Sequence, residues 1–334
     1  MNKNYYTLIT GAGGSIGSEL SIQLINSGRK NILLIDSSEE KIFYLKEKIT
    51  NSGKSNKKIN IVFFIGSITD KIMWNYILKK YQFSEVFHTA AYKHVNLLET
   101  NSYEAIYNNL IGTKILIEAL ENKCKKFIYV STDKAVLPKN IMGYTKRAAE
   151  LYLLSLEIKK ININIVRFGN VLNSSGSVVP IFENQIRNKK SITVTSKNAT
   201  RYFMSIKDAV NLLINSTKLN LNKKIFVLDM GKQIKILQLA KNMIKKSGYK
   251  PVYNKARKNE IKIEFIGLRK GEKLRERLTY SKLKKTSINK VLIANEEIKD
   301  KNIFLKLDKL INNFQIININ KSINNLKKLV NANK

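Results

Sequence analysis

An α/β fold, a doubly wound parallel sheet with a smaller second lobe, is predicted by three observations. Six short apolar runs alternate with stretches of helical spacing over the first half of the chain. A glycine-rich turn sits between the first run and the first helix, and the regular alternation fades after about residue 168. The 334 residues suffice for one large domain and a lobe, since domains commonly run to ~100–200 residues.

The runs are Tyr6–Thr10, Asn31–Ile35, Ile59–Ile65, Val86–Ala90, Phe127–Val130 and Ile163–Phe168. They are continuously apolar rather than alternating, the pattern of strands covered by helices on both faces. Residues 1–168 are therefore read as one domain. Residues 169–280 are read mostly as the smaller lobe, with a helix at Ser205–Ser216, a strand at Ile225–Leu228 and a helix near Ile236–Lys246. The segment near 205–230 is expected to return to the first domain. Ile303, Leu305, Leu307 and Leu310 keep helical spacing, so residues 281–334 are expected to form a helical segment packed on the body.

A hydrophobic fraction of 43% with 3 Pro and 15 Gly excludes disordered and fibrous classes. The formal charge of +35 would suit nucleic acid or an anionic membrane surface. Its distribution argues otherwise, because Lys is spread along the chain beside many Asn and Ile, three residues with A/T-rich codons. No basic block interleaved with aromatics accompanies it, so nucleic acid is not an expected partner, although an anionic nucleotide would be attracted. The single cysteine, Cys124, allows no intramolecular disulfide and shows no metal-ligand spacing. No run approaches ~18 apolar residues and no signal-type apolar region follows Met1, so a cytoplasmic protein without a transmembrane segment is expected.

The run Thr10-Gly11-Ala12-Gly13-Gly14-Ser15-Ile16-Gly17 follows the first strand and opens a helix. Its G-x-x-G-x-x-G spacing turns backbone amides and a helix N-terminus toward a pyrophosphate. Gly11, Gly14, Ser15, Ile16 and Gly17 are thus candidate cofactor residues of a Rossmann-type fold. Asp36 ends the second strand, where a carboxylate accepts ribose hydroxyls and repels a 2′-phosphate, which favours NAD over NADP. Alone, the glycines would be a turn and Asp36 a loop acid; their joint placement argues against both.

Further segments arrive in the order of one family. They are His88-Thr89-Ala90-Ala91-Tyr92-Lys93-His94-Val95, Asn108-Asn109-Leu110-Ile111-Gly112-Thr113, Ser131-Thr132-Asp133-Lys134-Ala135-Val136, Arg167-Phe168-Gly169-Asn170-Val171-Leu172, Gly176-Ser177-Val178-Val179-Pro180, Thr200-Arg201-Tyr202-Phe203-Met204 and Gly267-Leu268-Arg269-Lys270-Gly271-Glu272-Lys273-Leu274. Over nearly its whole length the chain resembles the CapD-like nucleotide-sugar 4,6-dehydratases of the extended short-chain dehydrogenase/reductase superfamily. Three departures stand out. The large members that resemble it most carry an N-terminal membrane region, so the chain looks like their catalytic portion. Gly66-Ser67 replaces the family's Gly-Asp, and Lys270 stands at the usual proline.

The resemblance implies an NAD-dependent lyase acting on a UDP-sugar, with UDP-N-acetylglucosamine the expected substrate and polysaccharide or glycan synthesis the expected destination. It implies that Asp133 protonates the leaving hydroxyl and Lys134 takes the C5 proton, a base role that requires a lowered lysine pKa. It places Ala90, Ala91 and Lys146 at the cofactor, and Lys93, His94, Asn170, Arg201, Arg269 and Glu272 at the nucleotide sugar. His88 and His94 are read as packing residues or substrate-loop donors rather than catalysts. The Tyr-x-x-x-Lys pair of most short-chain dehydrogenases is broken, because four residues before Lys146 stands Met142. Tyr144 is two residues from Lys146 and points to another side of the helix. The group that deprotonates the C4 hydroxyl is then Asp133, Thr132 or an ordered water.

Two other readings compete. A sugar-nucleotide 4-epimerase shares fold and cofactor but does not need Asp133-Lys134 and normally depends on the missing tyrosine. A non-catalytic NAD-binding or basic interaction module would bind nucleic acid with a steep salt slope. A homo-oligomer, by default a dimer, is expected in either enzyme case.

Overall fold

Strand β1 (Tyr5–Thr10) lies inside a nine-stranded sheet and ends at the glycine-rich turn. The computed structural model describes residues 5–51, 59–314 and 319–333. The chain continues through α1 (Ser15–Asn26), β2 (Asn31–Asp36), α2 (Glu39–Asn51), β3 (Asn60–Ile65), α3 (Lys71–Lys80), β4 (Gln82–His88), α4 (Val95–Thr100) and α5 (Ser102–Ile106). A π-helical turn at Tyr107–Ile111 leads into α6 (Gly112–Ala119), then β5 (Cys124–Thr132), a 3-10 turn at Asp133–Ala135, α7 (Ile141–Ser155) and β6 (Asn162–Phe168). These six strands pair in the order β3-β2-β1-β4-β5-β6 and all run parallel. The order reverses between β1 and β4, which opens a crevice at the carboxyl ends of the strands, where such sheets hold their ligands.

Beyond residue 168 come β7 (Asn170–Val171), α8 (Val178–Arg187), β8 (Ile192–Val194), β9 (Thr200–Arg201), β10 (Phe203–Met204), α9 (Ile206–Ser216), β11 (Lys224–Leu228), β12 (Ile234–Lys235), α10 (Ile236–Lys246), β13 (Lys250–Val252) and β14 (Glu260–Phe265). Strand β11 pairs parallel with β6, and α9 packs on α1, so this stretch lies with the main sheet. Strands β13, β14 and β8 form a small parallel sheet of their own. It packs with α8 and α10 around a separate apolar core that includes Phe182, Ile192, Ile244 and Ile261.

The tail differs from its helical expectation. It begins with β15 (Leu283–Lys285) and β16 (Val291–Ala294), antiparallel strands that finish the main sheet beyond β11. Four apolar residues, Val291 to Ala294, suffice because they pair with the buried Ile225–Leu228; the surrounding lysines hid this from the periodicity. Helices α11 (Ile303–Asn312) and α12 (Ile319–Ala332) follow and pack on α7. The buried stripe of α11 is Ile303, Leu307 and Ile311, whereas Leu305 faces solvent. Among the described residues no helix is long and apolar enough to cross a membrane.

Candidate active site

Gly11 turns the chain at φ +66°, and a Cβ there would stand 2.6 Å from the Ala90 backbone, so only glycine fits between β1 and the segment after β4. Ala90 thereby walls the cradle from the β4 side, next to Ala91. Helix α1 starts at Gly14 with no side-chain cap, unlike α3, α7 and α9, whose N-termini are capped by Asp70, Asn140 and Ser205. The first-turn amides beside Ser15, Ile16 and Gly17 are left to an anionic ligand. Asp36 is buried, with Oδ2 accepting from Gly13 N and Oδ1 from Ser38 N, both at 3.0 Å. These features fit a dinucleotide, and the carboxylate is fixed where a ribose would come.

At the end of β5 the chain presents Thr132, Asp133 and Lys134 in one hydrogen-bonded row. Thr132 Oγ1 donates to Asp133 Oδ1 at 2.9 Å, and Lys134 Nζ donates to the same oxygen at 2.9 Å and to Asn170 Oδ1 at 3.2 Å. Asp133 is fully buried, and its Oδ2 has no hydrogen-bond partner among the described residues. Thr132 is half-buried, and its hydroxyl donates to that carboxylate. Burial pushes the Lys134 ammonium down, but the charges of Asp133 and Glu276 outweigh it and the value ends raised. This corrects the expectation of a lowered lysine: at rest Lys134 is a cation.

Lys146 is buried, donates to the Val130 carbonyl at 2.7 Å and sits over the Tyr129 ring. Burial lowers it to about 7. His88 is a packing residue, bonded to Thr10 and Thr113 through its two ring nitrogens at 2.7 and 2.9 Å and pushed down to about 3 by burial and then by Lys146. Met142 packs against Leu98, Ala105 and Ile141, so position 142 fills space and offers no proton. Tyr144 faces the C-terminal helix instead, with its hydroxyl toward Asn331 at 3.4 Å.

A cavity of about 280 Å³ opens beside Lys134. Its wall brings together five expected residues, Lys134, Asn170, Arg201, Arg269 and Glu272, from four separate chain segments. Arg201 Nη2 donates to Glu272 Oε1 at 2.8 Å, and Glu272 Oε2 accepts from Arg269 N at 3.2 Å. Lys93 and His94 are exposed and lie outside this wall. Both are lowered first by partial burial and then by neighbouring cations, Lys41 among them. His94 is met instead by Gly176 (φ +66°), where a Cβ would collide with the imidazole, and the adjacent Ser175 N donates to Ser15 Oγ at 3.2 Å. The loop after β7 thus reaches from the smaller lobe onto the start of α1.

Two features were missed from sequence. Glu276 is buried on the wall of the same cavity; its signal would have been a carboxylate four residues after Glu272. The second lies beneath β5 and β6, where Arg167 is fully buried between Glu150 and Glu296, with contacts of 2.6–2.9 Å to both carboxylates. Arg147 joins them at 2.9 and 3.2 Å, and Ser131 donates to Glu150 at 2.6 Å. This network anchors the strand ends that carry Thr132 and Asn170.

The sheet order, the crevice and the phosphate cradle define a Rossmann-fold protein of the extended short-chain dehydrogenase/reductase type. The chain belongs to the family described as "Polysaccharide biosynthesis protein", whose profile matches residues 7–296, and within it to the CapD-like group. It is 40% identical over 328 residues to the capsular polysaccharide biosynthesis protein CapD of Staphylococcus aureus, covering 97% of this chain and 52% of that protein. The chain thus spans about half the length of that curated relative. It is 34% identical to the UDP-glucose 4-epimerase of Rickettsia canadensis, over 82% of this chain and 77% of that one. It is 32% identical to the UDP-N-acetylglucosamine 4,6-dehydratase (inverting) of Campylobacter jejuni, over 80% and 75%. The X-ray structure of Pen from Bacillus thuringiensis superposes with a TM-score of 0.77 at 32% identity, covering 87% of this chain and 89% of that one.

Proposed function

We propose that this protein is a UDP-N-acetylglucosamine 4,6-dehydratase that holds NAD in the β1–α1 cradle and supplies a 4-keto-6-deoxy sugar nucleotide for polysaccharide or glycan synthesis. The observation that carries this reading is the row Thr132–Asp133–Lys134, hydrogen-bonded at the end of β5 and reaching the cavity through Lys134, with no phenol at position 142 of α7. Dehydration needs an acceptor for the O4 proton, a base at C5 and an acid at the leaving O6. Epimerisation needs only the first.

When bound, NAD supplies the acceptor for the C4 hydride and returns it to C6. The chain's own residues handle the protons. Asp133 begins as a carboxylate, and the O4 proton reaches it through the Thr132 hydroxyl. The same proton then goes back to O6 and leaves in water, so Asp133 serves as base first and acid second. Lys134, held by Asn170, removes the C5 proton and later restores it. Arg201 and Arg269 suit the diphosphate, since guanidinium groups pair with phosphate oxygens in bidentate fashion. Glu272 orients Arg201 and accepts hydroxyls of the nucleotide.

Incubation with UDP-N-acetylglucosamine and NMR of the product tests this reading. The 4-keto-6-deoxy sugar nucleotide is the expected product, with loss of one water. The second reading, 4-epimerase, is favoured by the similarity to the Rickettsia protein. A product retaining its C6 hydroxyl and inverted at C4 would replace the first reading by the second.

A further inference from the structure

Glu276 is only 3% exposed, yet it lines the same cavity as Lys134. Its Oε2 lies 3.3 Å from the Lys273 ammonium but accepts no hydrogen bond among the described residues. Lys273 is itself committed elsewhere, donating to the Val136 carbonyl at 2.7 Å. A buried carboxylate with an unbonded oxygen is costly to keep, and none of the roles assigned so far uses it.

We propose that Glu276 is a positioning residue for the dehydration: its carboxylate, on the wall of the cavity that Lys134 also lines, receives the Lys134 proton through water in that cavity once Asp133 has been neutralised, and so releases the amine that works at C5. The inference rests on the dehydratase reading above. The charged groups around Lys134 are Asp133 on the 3-10 turn, Glu276 and Lys273 on the segment after Gly271, and Arg201 on β9. Asn170 on β7 adds a neutral acceptor. In the resting protein the Asp133 carboxylate, 2.9 Å away, holds the ammonium against the effect of burial. When the O4 proton neutralises Asp133, the more distant charge of Glu276 and the Asn170 oxygen are what still oppose the effect of burial, and Lys134 gives up its proton more readily.

The proton balance closes. An N–H bond of Lys134 breaks as an O–H bond forms on Glu276, and the free amine then takes the proton from C5. After hydride has returned to C6, Lys134 gives its proton back to C5. Asp133 is by then a carboxylate again, having given its proton to the departing water, and Glu276 returns its own proton to the freed Lys134 amine. The base at C5 is thereby switched on only after C4 has been oxidised.

The test compares NAD-loaded wild type, Glu276→Gln and Glu276→Asp with UDP-N-acetylglucosamine, following product and the absorbance of reduced nicotinamide in a single turnover. Glu276→Gln is expected to oxidise C4 normally and then stall, so that reduced nicotinamide accumulates and product forms at least ~10²-fold more slowly. Raising the pH is expected to restore its rate, because solvent then strips Lys134. Product formation at the wild-type rate without that accumulation overturns the proposal. So does a uniform loss at all pH with raised KM, which is what a merely structural role gives. Should Glu276→Gln fail to fold, Glu276→Asp decides: a carboxylate drawn back by one methylene is expected to let reduced nicotinamide accumulate, and wild-type kinetics would overturn the idea. Absence of 4-keto product from the wild type overturns the functional reading and this inference together, whereas wild-type turnover with an unaffected Glu276→Gln overturns the inference alone.

Discussion

The ammonium nitrogen of Lys146 lies 3.9 Å over the centre of the Tyr129 ring and donates to the Val130 carbonyl at 2.7 Å. Burial lowers it to about 7 from 10.5, and Glu150 opposes this only in part. Between those values the unfolded chain binds a proton that the folded one does not, so stability rises with pH across that window. Below about 7 both states are protonated and the folded state carries the full penalty. Denaturant melts from pH 6 to pH 10 are expected to show this rise, and Lys146→Met to flatten it. A variant that keeps the wild-type slope would remove Lys146 as its cause.

His88 works in the acid range. Its folded value of about 3 lies below the ordinary 6.5, so the unfolded chain gains a proton first and stability falls as pH drops from 6.5 toward 3. Glu150, held at about 2 by Arg167 and Arg147 against the effect of burial, adds to the same fall below its ordinary value of 4.5. Urea midpoints for His88→Gln are expected to decline less steeply between pH 6.5 and pH 4.5 than those of the wild type.

Position 133 and position 142 separate chemistry from packing. Asp133→Asn keeps the shape but removes the proton acceptor behind Thr132, and turnover is expected to fall ~10²–10⁴-fold. Met142→Ala removes a side chain packed on Leu98 and Ile141; large-to-small changes of this kind cost about 2–5 kcal/mol of stability. Its effect on turnover at temperatures where it stays folded is expected to be modest. Thermal melts beside product assays distinguish the two, and near-wild-type turnover by Asp133→Asn would remove Asp133 from the proton path.

For the cofactor, tighter binding of NAD than of NADP is expected in calorimetry, because the Asp36 carboxylate is pinned by Gly13 N and Ser38 N and cannot swing away from a 2′-phosphate. Equal or tighter NADP binding would show that another group, Lys41 foremost, compensates that charge.

The strands and the phosphate cradle were legible because their causes are local: a continuous apolar run or a glycine spacing carries its reason within ten residues. The 3-2-1-4-5-6 order and the closing strands β15 and β16 were not, since pairing depends on partners such as Ile225 and Ala294, far apart in sequence. The site divides in the same way. Thr132, Asp133 and Lys134 are neighbours in the chain and could be read together. The charge of Lys134, however, is supported by Glu276 as well as by its neighbour Asp133, and Arg167 is paired with Glu296, groups brought near only once the chain has folded back more than a hundred residues.

The pairing of Arg167 with Glu296 also has a consequence for the order of synthesis. Every strand of the parallel sheet emerges from the ribosome before residue 296, and until then two interior guanidinium groups share one carboxylate, Glu150. A nascent chain stopped short of that residue is therefore an incomplete interior rather than a finished half, although its six N-terminal strands are all present. A cut between the cradle and the tail would leave the Arg147 and Arg167 guanidinium groups in the interior with one carboxylate between them, so the body is indivisible as a folding unit.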